Sequence, residues 1–317
     1  MHRGRKTDYS KLPPILQRYD EDLRGLYSST TREGHSYCLL MFHEHLETKA
    51  QSLERVTLND IKSYINELTL RREKHEITQG TIKSVAKVIK YFAQWLVDQE
   101  MLDSSEFYKI ERYVRKIPGG SIGNDDVEAL SKEDEARAFR RLRDPLLAFL
   151  LWFGLNFGPR RIEYCNLLVS NIELAHMEGN EPAPRIKIDN SKGHVKKTRY
   201  YYLFPKQALE SRKWLEYLKS LNLPHDHVFF NPKNPSEEPN IDRVSSWFVK
   251  MSKITGIHIP SHRLRYTYAT RLWEGDVELY TISYLLGHSR VETTVRYLKI
   301  SAKTFRKKFM GSAKHLF

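Results

Sequence analysis

Several things are scarce in this 317-residue chain. Cysteine occurs only twice, at Cys38 and Cys165. Two thiols so far apart give no disulfide framework and suit a reducing compartment. No Cys/His grouping has zinc-site spacing, so no metal and no other cofactor is expected. No apolar run approaches the roughly 18 residues a membrane span needs, and the mean hydropathy is −0.58. The opening Met1-His2-Arg3-Gly4-Arg5-Lys6 is charged with no apolar stretch behind it, so no secretory signal is expected. Internal repeats and low-complexity tracts are missing too. What remains is a soluble, cytoplasmic, globular protein long enough for two domains.

Acidic residues are outnumbered. Fifty-two Lys and Arg against 39 Asp and Glu give a net charge of +13, and the pI is near 9.5. Such an excess makes a polyanion the first partner to consider, because neutralised phosphates release counterions. Residues 299–317 carry Lys299, Lys303, Arg306, Lys307, Lys308 and Lys314 with no acid among them.

Residues 1–20, with five basic and two acidic residues and Pro13-Pro14, read as an extended basic arm. Residues 21–117 read as a helical domain of about four helices. Its apolar faces are Tyr37, Leu40, Met41 and Leu46; Ile61, Tyr64, Ile65 and Leu68; and Ile82, Val85, Ile89, Phe92 and Leu96. Thr57 and Thr78 are helix starts. The glycine-rich, polar segment 118–128 is a linker. A second domain, 129–300, opens with a helix behind Ser131 and a buried helix over Leu146–Phe157. Arg185–Asp189 and Arg199–Phe204 have strand composition, and the polar loop between them makes a hairpin. Helices follow over Gln207–Leu221, Ile241–Thr255, Ser261–Trp273 and Val277–Leu286. The tail, 301–317, places Phe305 and Phe309 on a basic stretch that could dock on a neighbouring molecule. The fold class is therefore mainly α with a small β-sheet, in two domains.

Three short motifs carry chemistry. In Gly158-Pro159-Arg160-Arg161-Ile162-Glu163 a guanidinium fork precedes a carboxylate by three residues, a spacing that lets the acid hold the fork. Arg161 is a rival for the role of Arg160. In His262-Arg263-Leu264-Arg265 the i,i+3 spacing puts His262 and Arg265 on one helix face. Leu286-Gly287-His288 reads as a helix ending at a left-handed glycine, with a capping box at Ser289–Glu292 opening the next helix. That corner places His288 near a helix start, where an anion is welcome. Tyr297 lies two turns further on. Arginine clamps phosphate, histidine moves protons and tyrosine can attack phosphorus.

In order and spacing these residues resemble the tyrosine recombinase (phage-integrase/Xer-like) family, from about residue 20 to the C-terminus. Pro159, where family members often have leucine, and Tyr266, where they often have a second histidine, depart from its pattern. The resemblance implies a helical core-binding domain followed by a catalytic domain, acting on double-stranded DNA as a site-specific recombinase in a synaptic tetramer. It implies a catalytic set of Arg160, Lys192, His262, Arg265, His288 and Tyr297, supported by Glu163. Lys192 in the hairpin loop would be the general acid, with Lys196 as second choice. Tyr297 would form a 3′-phosphotyrosyl bond without metal or cofactor, and accessory proteins could assist. Divergence from the Xer type leans towards a mobile-element integrase, archaeal ones included. Alternative readings are a type IB topoisomerase-like enzyme and a sequence-specific DNA-binding protein without catalysis.

Overall fold

The computed structural model describes residues 12–119, 128–190 and 197–298. The chain divides into two compact units, Met1–Asp126 and Val127–Phe317.

In the first unit the described residues form five helices: α1 (Pro14–Asp22), α2 (Ser29–Glu47), α3 (Leu58–Glu73), α4 (Gln79–Asp98) and α5 (Ser104–Lys116). Their starts are written in the sequence. The side chains of Ser28, Thr57, Thr78 and Asp103 each accept a backbone N–H of the following turn, and Thr57 with Asp60 completes a reciprocal capping box. The apolar faces of α3 and α4 bury Ile61, Tyr64, Ile65, Leu68, Ile82, Val85, Ile89, Phe92 and Leu96 as expected. At the far end Lys83 Nζ donates to the carbonyls of Val114 and Ile117, both at 2.6 Å, closing the last turn of α5.

Two expectations fail here. Residues 14–20, read as part of an extended arm, are helical, and Leu12, Ile15, Leu16 and Tyr19 are buried in this unit's core. Pro14 starts that helix because a first-turn residue needs no N–H. On α2 the buried face is Leu39, Phe42 and Leu46, whereas Tyr37 is exposed. Residues 1–11 lie outside the described part.

The second unit opens with α6 (Lys132–Arg141), capped by Ser131, and α7 (Pro145–Phe157). Then come α8 (Arg161–Asn166), the strands β1 (Ile172–Glu173), β2 (Met177–Glu178), β3 (Glu181–Pro182), β4 (Arg185–Asn190) and β5 (Lys197–Tyr202), and the helices α9 (Pro205–Leu221), α10 (Ile241–Thr255), α11 (Ser261–Glu274), α12 (Leu279–Leu286) and α13 (Val291–Tyr297). β4 and β5 pair antiparallel in the expected hairpin, and β1 adds an edge, giving the order β1-β4-β5. β2 and β3 form a separate two-stranded ribbon. Among the described residues no helix is long and apolar enough to cross a membrane.

The buried helix α7 is the axis of this unit. Leu147, Leu150, Leu151, Phe153 and Phe157 are buried along it, and α11 crosses it closely at Gly154. A Cβ on Gly154 would stand 2.5 Å from Leu264 Cδ1 and 2.7 Å from the Tyr164 hydroxyl. The missing side chain therefore lets α11, which carries His262 and Arg265, lie directly against the helix that leads to Arg160.

Candidate active site

Two breaks in secondary structure, at Gly158 and Gly287, organise the described candidates. Helix α7 ends at Gly158, left-handed at φ +54°, and Arg160 is the residue flanking α8. Its own N–H donates to Glu163 Oε2 at 2.7 Å, and its Nη1 donates to Glu163 Oε1 at 3.1 Å. One carboxylate thus fixes both the backbone and the fork of Arg160. Arg161, the rival, is exposed and donates instead to Ser245 Oγ at 3.0 Å.

Helix α12 ends at Gly287, left-handed at φ +62°. Its last carbonyls face two arginines. Arg160 Nη2 donates to the Gly287 carbonyl at 2.6 Å, and Arg265 Nη2 donates to the Leu286 carbonyl, with Arg265 Nη1 on the Gly158 carbonyl at 2.8 Å. The negative end of one helix therefore gathers both guanidiniums, as the helix dipole favours. α13 begins at Val291, one residue later than a Ser289 cap requires, and no such capping bond occurs among the described residues.

His288, just past that corner, shares a hydrogen bond with Thr294 through Nδ1 and Oγ1 at 2.8 Å. Burial, with Arg265, Arg160 and Arg199 nearby, pushes its imidazole down to about 4, so it is neutral at physiological pH. The edge of Tyr297 meets His288 with centroids 5.7 Å apart, and Tyr266 packs on Tyr297 at 5.6 Å. Burial pushes the Tyr297 hydroxyl up to about 12 despite the opposing pull of Arg265. Its proton points at the His262 carbonyl, 3.2 Å away. The imidazole of His262 is exposed, so α11 brings the backbone of His262, rather than its ring, to Tyr297. Arg265 is buried and is pushed down to about 10, first by burial and then by Arg160, which leaves it charged at neutral pH.

Two residues at this site escaped the sequence reading. Arg199 stood out only as the first residue of a strand segment, yet it is 3% exposed. Its Nη2 donates to Glu163 Oε2 at 2.6 Å and its Nε to the Tyr201 hydroxyl at 2.9 Å. Tyr201 in turn donates to the Leu285 carbonyl. The only available signal was period-two alternation: on β5, Arg199 and Tyr201 share the inner face while Tyr200 and Tyr202 share the other. Lys192 and Lys196 lie outside the described residues, as does the tail from 299 onwards. No group of three or more His, Cys, Asp or Glu able to hold a metal occurs among the described residues.

Residues 121–304 match the Phage integrase family. The chain belongs to that family. A curated relative, the tyrosine recombinase XerC of Staphylococcus epidermidis, is 24% identical over 294 residues, covering 90% of this chain and 92% of its own. Among solved structures, the site-specific recombinase XerH, bound to palindromic difH in a post-cleavage complex, superposes with a TM-score of 0.67 at 17% identity. It covers 93% of this chain and 83% of its own. A lambda integrase tetramer bound to a Holliday junction gives 0.66 at 15% identity, covering 89% of this chain and 76% of its own. The two-domain, mainly helical architecture is that of the tyrosine recombinases, and the protein is a tyrosine recombinase-type enzyme.

Proposed function

We propose that this protein cleaves and rejoins double-stranded DNA through a 3′-phosphotyrosyl intermediate, with strand exchange in a synaptic tetramer. One observation carries the reading: two guanidiniums are anchored on consecutive carbonyls of the corner that leads into the tyrosine-bearing helix. Tyr297 Oη attacks the scissile phosphorus, the bond from phosphorus to the 5′ oxygen breaks, and a 5′ hydroxyl leaves. One phosphoester replaces another, so the step is reversible and needs no nucleotide energy source.

Arg160 and Arg265 carry the equatorial oxygens of the transition state, and His288 donates a hydrogen bond to one of them. Each such preorganised donor contributes about 3 kcal/mol, or roughly a hundredfold in rate. With its hydroxyl pushed up to about 12, Tyr297 keeps its proton in the free protein. Phosphate binding draws that hydroxyl from the His262 carbonyl towards phosphorus, and the exposed His262 imidazole turns in to accept the proton. Lys192 then protonates the departing 5′ oxygen. The helical first unit and the tail supply DNA grip and contact between protomers. Tetrameric assembly is supported by the lambda integrase tetramer crystallised on a Holliday junction.

Covalent trapping in EDTA tests this. The protein is incubated with nicked duplexes drawn from a random pool and from DNA flanking its gene, and adducts are resolved on denaturing gels. Wild type should form an adduct that Tyr297→Phe lacks, and sequencing the trapped DNA identifies the site. An adduct that persists in Tyr297→Phe, or tight binding with no adduct, would refute the assignment. Relaxation of supercoiled plasmid without exchange would point to topoisomerase action instead.

A further inference from the structure

Three guanidiniums crowd around one carboxylate in this site. Glu163 is 2% exposed and takes Arg160 on Oε1 and Arg199 on Oε2, while Arg265 contacts no carboxylate among the described residues. The balance is one negative charge against three positive ones, so two positive charges are left for an anion. Arg199 is buried like Arg265, and its Nη1 has no hydrogen-bond partner among the described residues. It is almost fully buried beneath the Gly287 turn, and its Nη1 would stand 2.7 Å from a Cβ at that glycine. Arg160, by contrast, remains partly open to solvent.

Oε2 already accepts the Arg160 N–H, but without a second cation its other lone pair is open to the Arg160 fork, in the parallel, bidentate manner that guanidinium and carboxylate favour. That fork would then be occupied by protein rather than by phosphate. Arg199 occupies Oε2 and prevents it. With its Nε it also holds the Tyr201 hydroxyl, which fixes the Leu285 carbonyl one residue before the carbonyls that anchor the two other arginines. Only a planar, forked cation reaches both Glu163 and Tyr201.

We infer that Arg199 is a positioning residue for strand cleavage: by dividing Glu163 with Arg160 and bracing Tyr201, it keeps the Arg160 fork and the Leu286-Gly287 corner in the geometry that receives the scissile phosphate. The inference rests on the recombinase reading. It also gives the hairpin an inner-face role apart from its loop, because β5 then supports both the first arginine and the corner.

The test compares wild type, Arg199→Met, Arg199→Lys and the double variant Arg199→Met/Glu163→Gln, using the nicked duplex recovered by covalent trapping. Single-turnover adduct formation by Arg199→Met should fall by ~100-fold, the scale of one lost preorganised donor, while duplex affinity stays within ~3-fold. The double variant should recover at least ~10-fold of that loss, because removing the carboxylate charge frees Arg160 again. A merely structural arginine predicts no such recovery, so a double variant no faster than Arg199→Met overturns the inference. Should Arg199→Met not fold, Arg199→Lys decides. It should lose ~10-fold in rate at an unchanged melting temperature, and a wild-type rate would overturn the inference. If wild type forms no adduct, the recombinase reading falls by itself. Arg199 is then judged by melting in sulfate: wild type should be stabilised and Arg199→Met should not, and equal stabilisation counts against the inference.

Discussion

The second unit ends three of its helices at left-handed glycines and the first ends none that way, and the contrast shows what glycine is for in this protein. In the first unit the left-handed positions are Ala50, His75 and Glu100, all exposed. In the second, exposed Asn222 and Asp276 do the same, but Gly158, Gly256 and Gly287 take that conformation directly after α7, α10 and α12. Conformation alone does not explain the choice, since the first unit adopts it repeatedly with side chains present. Space does. A Cβ at Gly158 would meet Tyr268 Cδ1 at 2.7 Å, one at Gly256 would meet Arg141 Nη1 at 3.1 Å, and one at Gly287 would meet Arg199 and Arg160. Buried charge divides the same way. The first unit balances Asp20 against Arg32, while the second leaves an excess of positive charge around Glu163. In the second unit, close packing around the helix ends leaves room only for glycine, and the uncompensated positive charge gathers at one of those ends.

The largest test of this contrast is Gly287→Ala. The new methyl group would press on the guanidiniums of Arg199 and Arg160, so adduct formation should fall by ~100-fold or more, the scale of a displaced catalytic donor. The melting temperature should fall as well, in step with the ~1–2 kcal/mol of a left-handed alanine, and a rate near wild type would remove the spatial argument.

Gly158→Ala comes next, and here stability should suffer. A left-handed alanine costs ~1–2 kcal/mol, and overpacking against Tyr268 adds ~1–3 kcal/mol. Urea unfolding of the second unit should show a loss of roughly 2–5 kcal/mol.

His288 gives a smaller effect with a defined sign. Its folded-state value of about 4 lies below the ordinary 6.5, so the unfolded chain binds the extra proton. The stability linked to this group is fully present above pH 6.5 and is lost as pH falls towards 4. Histidine NMR should show His288 titrating near 4 in the free protein, and sulfate should move that midpoint upward. A midpoint that ignores sulfate would separate His288 from the anion site.

The smallest effect belongs to the first unit. Glu100→Gly or His75→Gly relieves a left-handed side chain in open surroundings, offset by the greater freedom of glycine in the unfolded chain. Chemical denaturation should show a gain below ~1 kcal/mol. A large loss at either position would mean that the first unit also uses these residues for contact.

Much of the fold could be read from the residues because its signals are local. Thr57, Thr78 and Ser131 mark helix starts by capping chemistry, and the helix over Ile241–Thr255 shows its ends as well as its apolar face. The helix at Pro14 was hidden because Pro13-Pro14 suits extended chain equally well, and only burial of Leu16 and Tyr19 decides between them. In the site, the order of the boxes was enough to group Arg160, Arg265, His288 and Tyr297. Arg199 was not legible, since its partner Glu163 is 36 residues away across a strand pairing. Nor was the anchoring of the arginines, because their acceptors are main-chain carbonyls that no residue letter encodes.

That last feature bears on how this enzyme would look to genetics. The groups that aim Arg160 and Arg265 are the carbonyls of Gly287, Leu286 and Gly158, and a point substitution leaves every one of them in the chain. An alanine scan would therefore record the arginines as essential, and at Gly158 and Gly287 it would report the crowding of a new Cβ rather than the loss of a carbonyl. Only lesions that shift the chain itself, such as a one-residue deletion before the corner, would reveal the carbonyls. A site aimed by its own backbone does not depend on side-chain acceptors, and its weak points are register and the space its glycines leave open.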